Sequence, residues 1–493
     1  MSLLLAILTV AVADSLGSGS PSEALFSRRA PHTSVEAGWK GRSETDPLIP
    51  EEGRADGEGV VDIRTLVRPS ATSAVSGSVQ YANGFKSGVV WNSSSDYSVV
   101  FPYVMADSLS GNVRKETYAF TGGYAFRKGE WNFGVRGSYR ALHEWREVDP
   151  RPRNIVSDLK VDISSGRQIS RDYVLDLSAF YRRYSQSNSV AYFNPRGANS
   201  AQFHLTGLGS YFYRFSGTIS SYLSTRYSGN GAGLSLTLFP LGDKGWKAAL
   251  EYSFLDNVHH LPNLNEAPYT ELVTHDVLLG ADYSGGIWSA GGRLNAEVRS
   301  GFEQVLDNGI AGAYNSLMLF HMYSGIFYEA SAHGNLHAGR WLFSAETAFR
   351  GFLQQYMYPG RSFSTSGLRL NAGASYTRSA GAWLLRAEAA ATGYIPMSAS
   401  MTIPAKYTLE ALQDYQRSRL MRVSAAVAGL CASFEAERPI MKNIRGVARA
   451  SVCYDTLNSV FYSITIGIIY EKSIPSFSGS ILCRYGLQQA RLR

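Results

Sequence analysis

The residues best placed to do chemistry in this chain are arginines and aspartates. Asp149-Pro150-Arg151-Pro152-Arg153-Asn154 sets two guanidiniums among prolines, each of which fixes its own φ at about −65°. Two stiffly held guanidiniums suit planar anions, so the stretch could grip a carboxylate, a phosphate or a sugar acid. It could equally clamp Asp96, Asp107 or Asp158 of the same chain. A second set alternates along predicted strands: Arg136, Arg140, Arg182, Lys247, Arg293, Arg299, Arg350 and Arg386, against Asp176, Glu251, Asp282, Glu297, Glu346 and Glu388. Mixed charge on one face reads as salt-bridge ladders on a solvated wall, or as a path that selects a polar solute. Arg136, Arg140, Arg151, Arg153, Asp96, Asp107 and Asp158 are therefore the candidate lumen or constriction residues.

Catalytic patterns are missing from the sequence. There is no Walker loop, no H-E-x-x-H, and no Cys or His pair at metal-ligand spacing. His259-His260 falls in a predicted long loop and His333 and His337 near a turn, where exposed or packed histidines are the norm. No Ser/His/Asp grouping stands out. We expect no enzyme, no cofactor and no metal. Cys431, Cys453 and Cys483 are odd in number and lie on separate predicted strands. That argues against a disulfide framework and for burial as small apolar residues.

The elements that carry these charges are strands. From Glu130 to Ala141, Trp131, Phe133, Val135, Gly137, Tyr139 and Ala141 share one face, and Asn132, Arg136, Ser138 and Arg140 share the other. An apolar row ending in aromatics, opposite a row with two arginines, suits a wall between lipid and a watery lumen. Gly (48), Tyr (30) and Phe (23) are abundant and 18% of residues are charged, which suits strands, turns and interface belts. No run approaches the ~20 apolar residues of a membrane helix, so spanning would require a closed barrel. The excess of seven basic residues fits a surface facing anionic lipopolysaccharide.

Leu3–Val12 is an apolar h-region and Ala11-Val12-Ala13 an A-x-A cleavage signal, so residues 1–13 read as a signal peptide. Residues 14–73 look irregular, with possible strands at Thr33–Trp39 and Val60–Val67. Hairpins then follow. Val75–Tyr81 and Phe85–Trp91 flank Asn83-Gly84, a strong two-residue turn signal. Glu116–Phe126 joins Glu130–Ala141, and later pairs turn at 241–245, 284–286 and 379–382. Leu420–Phe434, Ile444–Tyr454, Val460–Tyr470 and Phe477–Tyr485 complete the series. Residues 74–486 form the expected barrel and 487–493 a tail. Short turns alternate with long polar connections at 143–154, 185–201, 256–271, 301–315 and 395–418, a parity that a β-sandwich or propeller has no reason to keep. The expected fold is all-β: a large antiparallel transmembrane β-barrel of about 18–22 strands, with short periplasmic turns and long extracellular loops.

Three stretches do not read as wall: Trp91–Ser108, where Pro102 cannot donate to a ladder, Asp149–Asp158 and His204–Gly217. Their strings W-N-S-S-S-D-Y, P-Y-V-M-A-D-S and D-P-R-P-R-N, with the aromatic strand 118–139, resemble a Bacteroidota outer-membrane β-barrel family of unassigned function. The resemblance covers most of residues 74–486. It implies an exported barrel in a Gram-negative envelope, and it brings no substrate and no catalytic residue. We expect Tyr97–Ala106 and Asp149–Asn154 to fold inward and meet, with Arg151 or Arg153 on an acid. The expected role is a passive pore or an accessory barrel for nutrient uptake or surface export in the outer membrane. Its partners would be outer-membrane lipids, lipopolysaccharide and neighbouring envelope proteins, and not nucleic acid. The competing class is a secreted all-β binding or adhesion protein.

Overall fold

The computed structural model describes residues 19–27, 30–218, 223–262, 266–306, 316–404 and 410–471. Eighteen strands join in one antiparallel sheet that closes on itself. Closure is made by His32–Glu44, which pairs with Ala55–Ser70 on one edge and with Ser459–Glu471 on the other. The barrel thus begins at His32, inside the stretch expected to be irregular, and the possible strands at 33–39 and 60–67 are wall. The expected signal peptide, the strand at 477–485 and the tail lie outside the described residues.

Period-two alternation builds the wall. In Trp131–Trp145 the outward Trp131, Val135 and Tyr139 are 40–46% exposed, whereas the inward Asn132 is 1% exposed. Trp131, Trp246, Trp288, Trp341 and Trp383 each stand at or next to the first residue of a strand that follows a short turn. All five point outward at the same end, where Trp246 and Trp288 lie 5.2 and 5.1 Å from Tyr283 and Trp341 lies 4.9 Å from Tyr376. An amphipathic ring with an apolar body and a polar N–H suits an interface, so this row is one aromatic girdle.

The turns at that end are two to four residues long (71–72, 129–130, 169–172, 241–244, 285–287, 339–340, 381–382 and 442–443). Connections 45–54, 90–110, 192–223 and 403–426 all leave the opposite end. Parity holds at the short-turn end but only in part at the other, where 146–150, 357–360 and 456–458 are also short. The reason is that the strands run 12 to 23 residues and absorb much of what reads as loop, such as 185–191 and 256–261.

Three local expectations fail for physical reasons. Asn83-Gly84 is no turn: both lie within Ser73–Val89, registered against Gly59 and Glu58 on one side and Glu116 and Lys115 on the other. Gly84 is needed there because a Cβ would run into the carbonyl of Gly57. Leu420–Val423 is helix, the end of Glu410–Val423, and the next strand is Val427–Met441. Cys431 and Cys453 stand directly opposite each other on adjacent strands and form a disulfide, which counting cysteines could not reveal.

Candidate functional site

Two of the long connections turn into the barrel. Residues 90–110 supply a short helix, Tyr97–Val100, and a strand, Met105–Asp107. Residues 192–223 supply Gln202–Gly207 and Ser210–Tyr211. These three strands pair among themselves, Met105 opposite His204 and Asp107 opposite Gln202, in a small sheet separate from the wall. Val100, Val104, Met105 and Ala106 are at most 1% exposed. Val100 and Val104 pack with Leu142, Val156, Tyr184, Tyr227, Tyr323 and Phe363, residues of wall strands from well-separated parts of the sheet. The helix Glu410–Val423 adds a third contribution: Leu420 and Val423 join that core, and the Arg419 guanidinium lies 5.8 and 5.6 Å from the Phe101 and Phe363 rings.

A buried irregular backbone needs donors, because an unpaired carbonyl costs as much as a lost hydrogen bond. The wall provides them. Asn154 and Asn188 Nδ2 donate to the Ser93 carbonyl at 3.0 and 2.6 Å, and the Tyr227 hydroxyl donates to that of Tyr103 at 3.0 Å. Arg299 donates to the Phe101 and Ser98 carbonyls at 2.9 and 2.8 Å. Ser95 donates to Glu144, which Lys86 approaches at 2.9 Å. Inside the plug, Ser93 Oγ donates to Asp107 at 2.9 Å.

The sequence-predicted residues divide into two groups. Arg140 forks onto Asp96 at 2.5 and 3.1 Å and reaches Asp158 at 3.3 Å, while Arg182 holds Asp158 at 2.8 and 2.9 Å. The structure therefore brings Asp96, Arg140 and Asp158 together, with Arg182 and the Tyr184 hydroxyl, 3.2 Å from Asp96. Arg136 sits nearer the short-turn end, on Asp162 at 3.3 Å and on the Gly19 carbonyl at 2.8 Å. Asp107 pairs with Arg146 at 3.2 Å, both nearly inaccessible to water. Burial raises the Asp107 carboxyl above its ordinary value, against the pull of Arg146.

Arg151 and Arg153 do not fold inward. They open the wall strand Arg151–Gln168, where the buried Pro152 and Asn154 alternate with them. Arg151 takes Asp149 at 2.7 Å and covers the Phe193 ring at 4.4 Å, and Arg153 donates to His143 at 3.3 Å. Neither is bonded to Asp96, Asp107 or Asp158. Arg146 was missed, since a lone arginine after Trp145 carries no pattern. In the sequence, only the polar run Asn92–Ser95 hinted at a place needing buried partners.

An inner sheet, a shared apolar core and ion pairs from several strands make a fixed filling at the long-loop end. The class is thus a plugged β-barrel of the outer-membrane type. The chain belongs to a family described as a family of unknown function, DUF6850, whose model matches residues 21–470. No curated protein matches it. Among solved structures it is similar in fold to the ferric yersiniabactin uptake receptor FyuA from Yersinia pestis (10% identity, TM-score 0.40, 90% of this chain and 80% of that one). It is also similar to the translocator domain of the autotransporter NalP from Neisseria meningitidis (10% identity, TM-score 0.26, 95% of each chain). A third is the CymD monoaromatic hydrocarbon channel (10% identity, TM-score 0.31, 92% of this chain and 91% of that one). These likenesses concern the barrel fold.

Proposed function

We propose that the chain resides in the outer membrane of a Gram-negative cell, of Bacteroidota origin, as a plugged accessory barrel of a nutrient-uptake or surface-export system. The plug carries this reading. A passive pore needs a continuous watery path, and Met105, Ala106 and Asp107, all 0% exposed, occupy the interior instead. The outer face supports a lipid setting over a secreted one. Val135 (45% exposed), Leu177 (54%) and Ile464 (58%) belong to an apolar exterior that water would not tolerate.

Outer-membrane lipids and lipopolysaccharide are its partners on that face. The outward Arg153 and Arg183 have neutral partners, His143 and Asn230, which leaves their charge for lipid phosphates. Neighbouring envelope proteins would meet the long-loop end. The reading includes no enzymatic step, no cofactor and no nucleic acid. In planar bilayers the purified chain is expected to conduct little; a large, stable open-pore conductance would overturn the plugged role. Fractionation of the unboiled, compact form into a soluble secreted pool would overturn the location.

A further inference from the structure

At the short-turn end the lumen holds a second, separate filling, the chain's own segment Gly19–Ser27 (G-S-P-S-E-A-L-F-S), with one helical turn at Pro21–Leu25. The wall beneath it is shaped to that segment. Ser22, 0% exposed, donates its hydroxyl to Asp176, and its amide donates to Ser164 Oγ at 2.9 Å. Lys247 binds Glu23 at 2.9 Å, Arg136 donates to the Gly19 carbonyl at 2.8 Å, and Arg68 donates to the Ser27 carbonyl. Phe26 sits 5.3 Å from Phe239 with the Arg127 guanidinium 4.9 Å from its ring.

Gly134 completes the fit. It faces inward, and a side chain there would run into the Ser22 amide and Pro21. A wall that merely tolerated a loose tail would need no such gap. Backbone recognition at both ends, a buried serine pocket, a cation for the following acid and an aromatic seat together make a sequence-reading groove.

We propose that the lumenal groove formed by Gly134, Ser164, Asp176, Lys247 and Phe239 is a peptide-binding site. It takes a short Ser-Glu peptide in a single turn, and the chain's own Gly19–Ser27 fills it in cis. Held this way, the segment is a releasable stopper of the short-turn mouth, independent of the plug at the other end. A tether that short gives an effective concentration of ~1 mM or more, so even weak recognition keeps the groove filled.

The test uses the full chain with Cys483→Ser and a reporter cysteine at Thr237→Cys, the native disulfide being unreactive. Thr237 is buried opposite Asp176 on the neighbouring strand and makes none of the groove's named contacts. Attack by a charged thiol reagent at residue 237 is then followed in detergent. With the segment seated, the reaction is slow. Adding Ser22→Trp, too large for the gap at Gly134, is expected to speed it about tenfold, as loss of a locally closed state does. Glu23→Lys, repelled by Lys247, gives a second eviction route should Ser22→Trp disturb assembly, which the compact unboiled form reports. The free nonapeptide at a few millimolar restores protection in either evicted variant. Equal reactivity with and without eviction would show that the segment does not cover the groove. A rate unmoved by the peptide would show that the groove does not read its sequence. Either result overturns the proposal.

Discussion

Trp131–Trp145 and Ser93–Asp107 are stretches of equal length that solve opposite problems. The first is wall. It pairs along its length with Gly111–Lys128 and with Arg151–Gln168, so its backbone is satisfied by repetition and its side chains need only alternate. The second is plug. It has strand partners over Met105–Asp107 and a few local turn bonds, and the carbonyls of Ser93, Ser98, Phe101 and Tyr103 take donors from particular side chains: Asn154, Asn188, Arg299 and Tyr227. A repeated pattern survives the loss of any one inward residue, whereas a set of single contacts does not. The same substitution should therefore matter more inside than along the lumen wall, and as much inside as on the lipid face.

The largest effect is expected at Arg146. Its guanidinium and the Asp107 carboxylate are both almost wholly buried, 3.2 Å apart. Arg146→Ala leaves a buried carboxylate without its cation, a loss of about 3–5 kcal/mol. The plug should then loosen, with faster hydrogen exchange at Met105 and Ala106 and, when Glu23→Lys also frees the short-turn mouth, new conductance in planar bilayers. Exchange and conductance both unchanged would mean that the plug does not depend on this pair.

On the wall the contrast is between faces. Val135 is 45% exposed on the outside, while Ser138 faces the lumen, where Thr121 donates to it at 3.3 Å. Val135→Arg should cost about 2–4 kcal/mol at mid-depth and lower the yield of assembled barrel, whereas Ser138→Arg should assemble nearly as well as the parent. Equal yields would break the assignment of the two faces.

Those two regions also differ in how far the sequence discloses them. Alternation and turn parity mark the wall because lipid outside and water inside impose them on every strand. Exceptions arise where a long register overrides a local signal, as at Asn83-Gly84, or where a pairing exists only across the sheet, as with Cys431 and Cys453. The plug is visible mainly as a failure of the pattern. Pro102 and the polar run after Trp91 mark residues 91–108 as something other than wall, and so they are. Which arginine meets which aspartate is not visible, because that depends on where a strand starts. Asp149–Asn154 looks like a clamp by composition. Since the strand begins at Arg151, the prolines and Asn154 take the buried positions and the guanidiniums face away. The partners of Asp96 and Asp158 come instead from Arg140 and Arg182, in the middle of ordinary strands.

The smallest effects belong to the Arg151 region, and they sharpen the comparison from the other side. If Arg151 and Arg153 serve the rim and not the plug, then Arg151→Ala and Arg153→Ala should leave both conductance and melting unchanged within error. A gain of conductance in either would return these residues to the constriction. Asp149 itself has a readable charge. Desolvation alone would raise its carboxyl, but hydrogen bonds from the Phe193 and Asn194 amides, both 2.7 Å, and from Arg151 outweigh it and hold it below the ordinary value. A carboxyl lowered in the folded state contributes its anchor fully above the unfolded value of about 3.9 and loses it as pH falls through the lowered one. The Phe193 and Asn194 amide resonances, followed in detergent, should therefore hold still from neutral pH down to about 4 and move only in stronger acid. Movement centred near pH 5 or 6 would mean that the two amides and the guanidinium do not hold this carboxylate, and that the 146–150 connection is looser than its contacts imply.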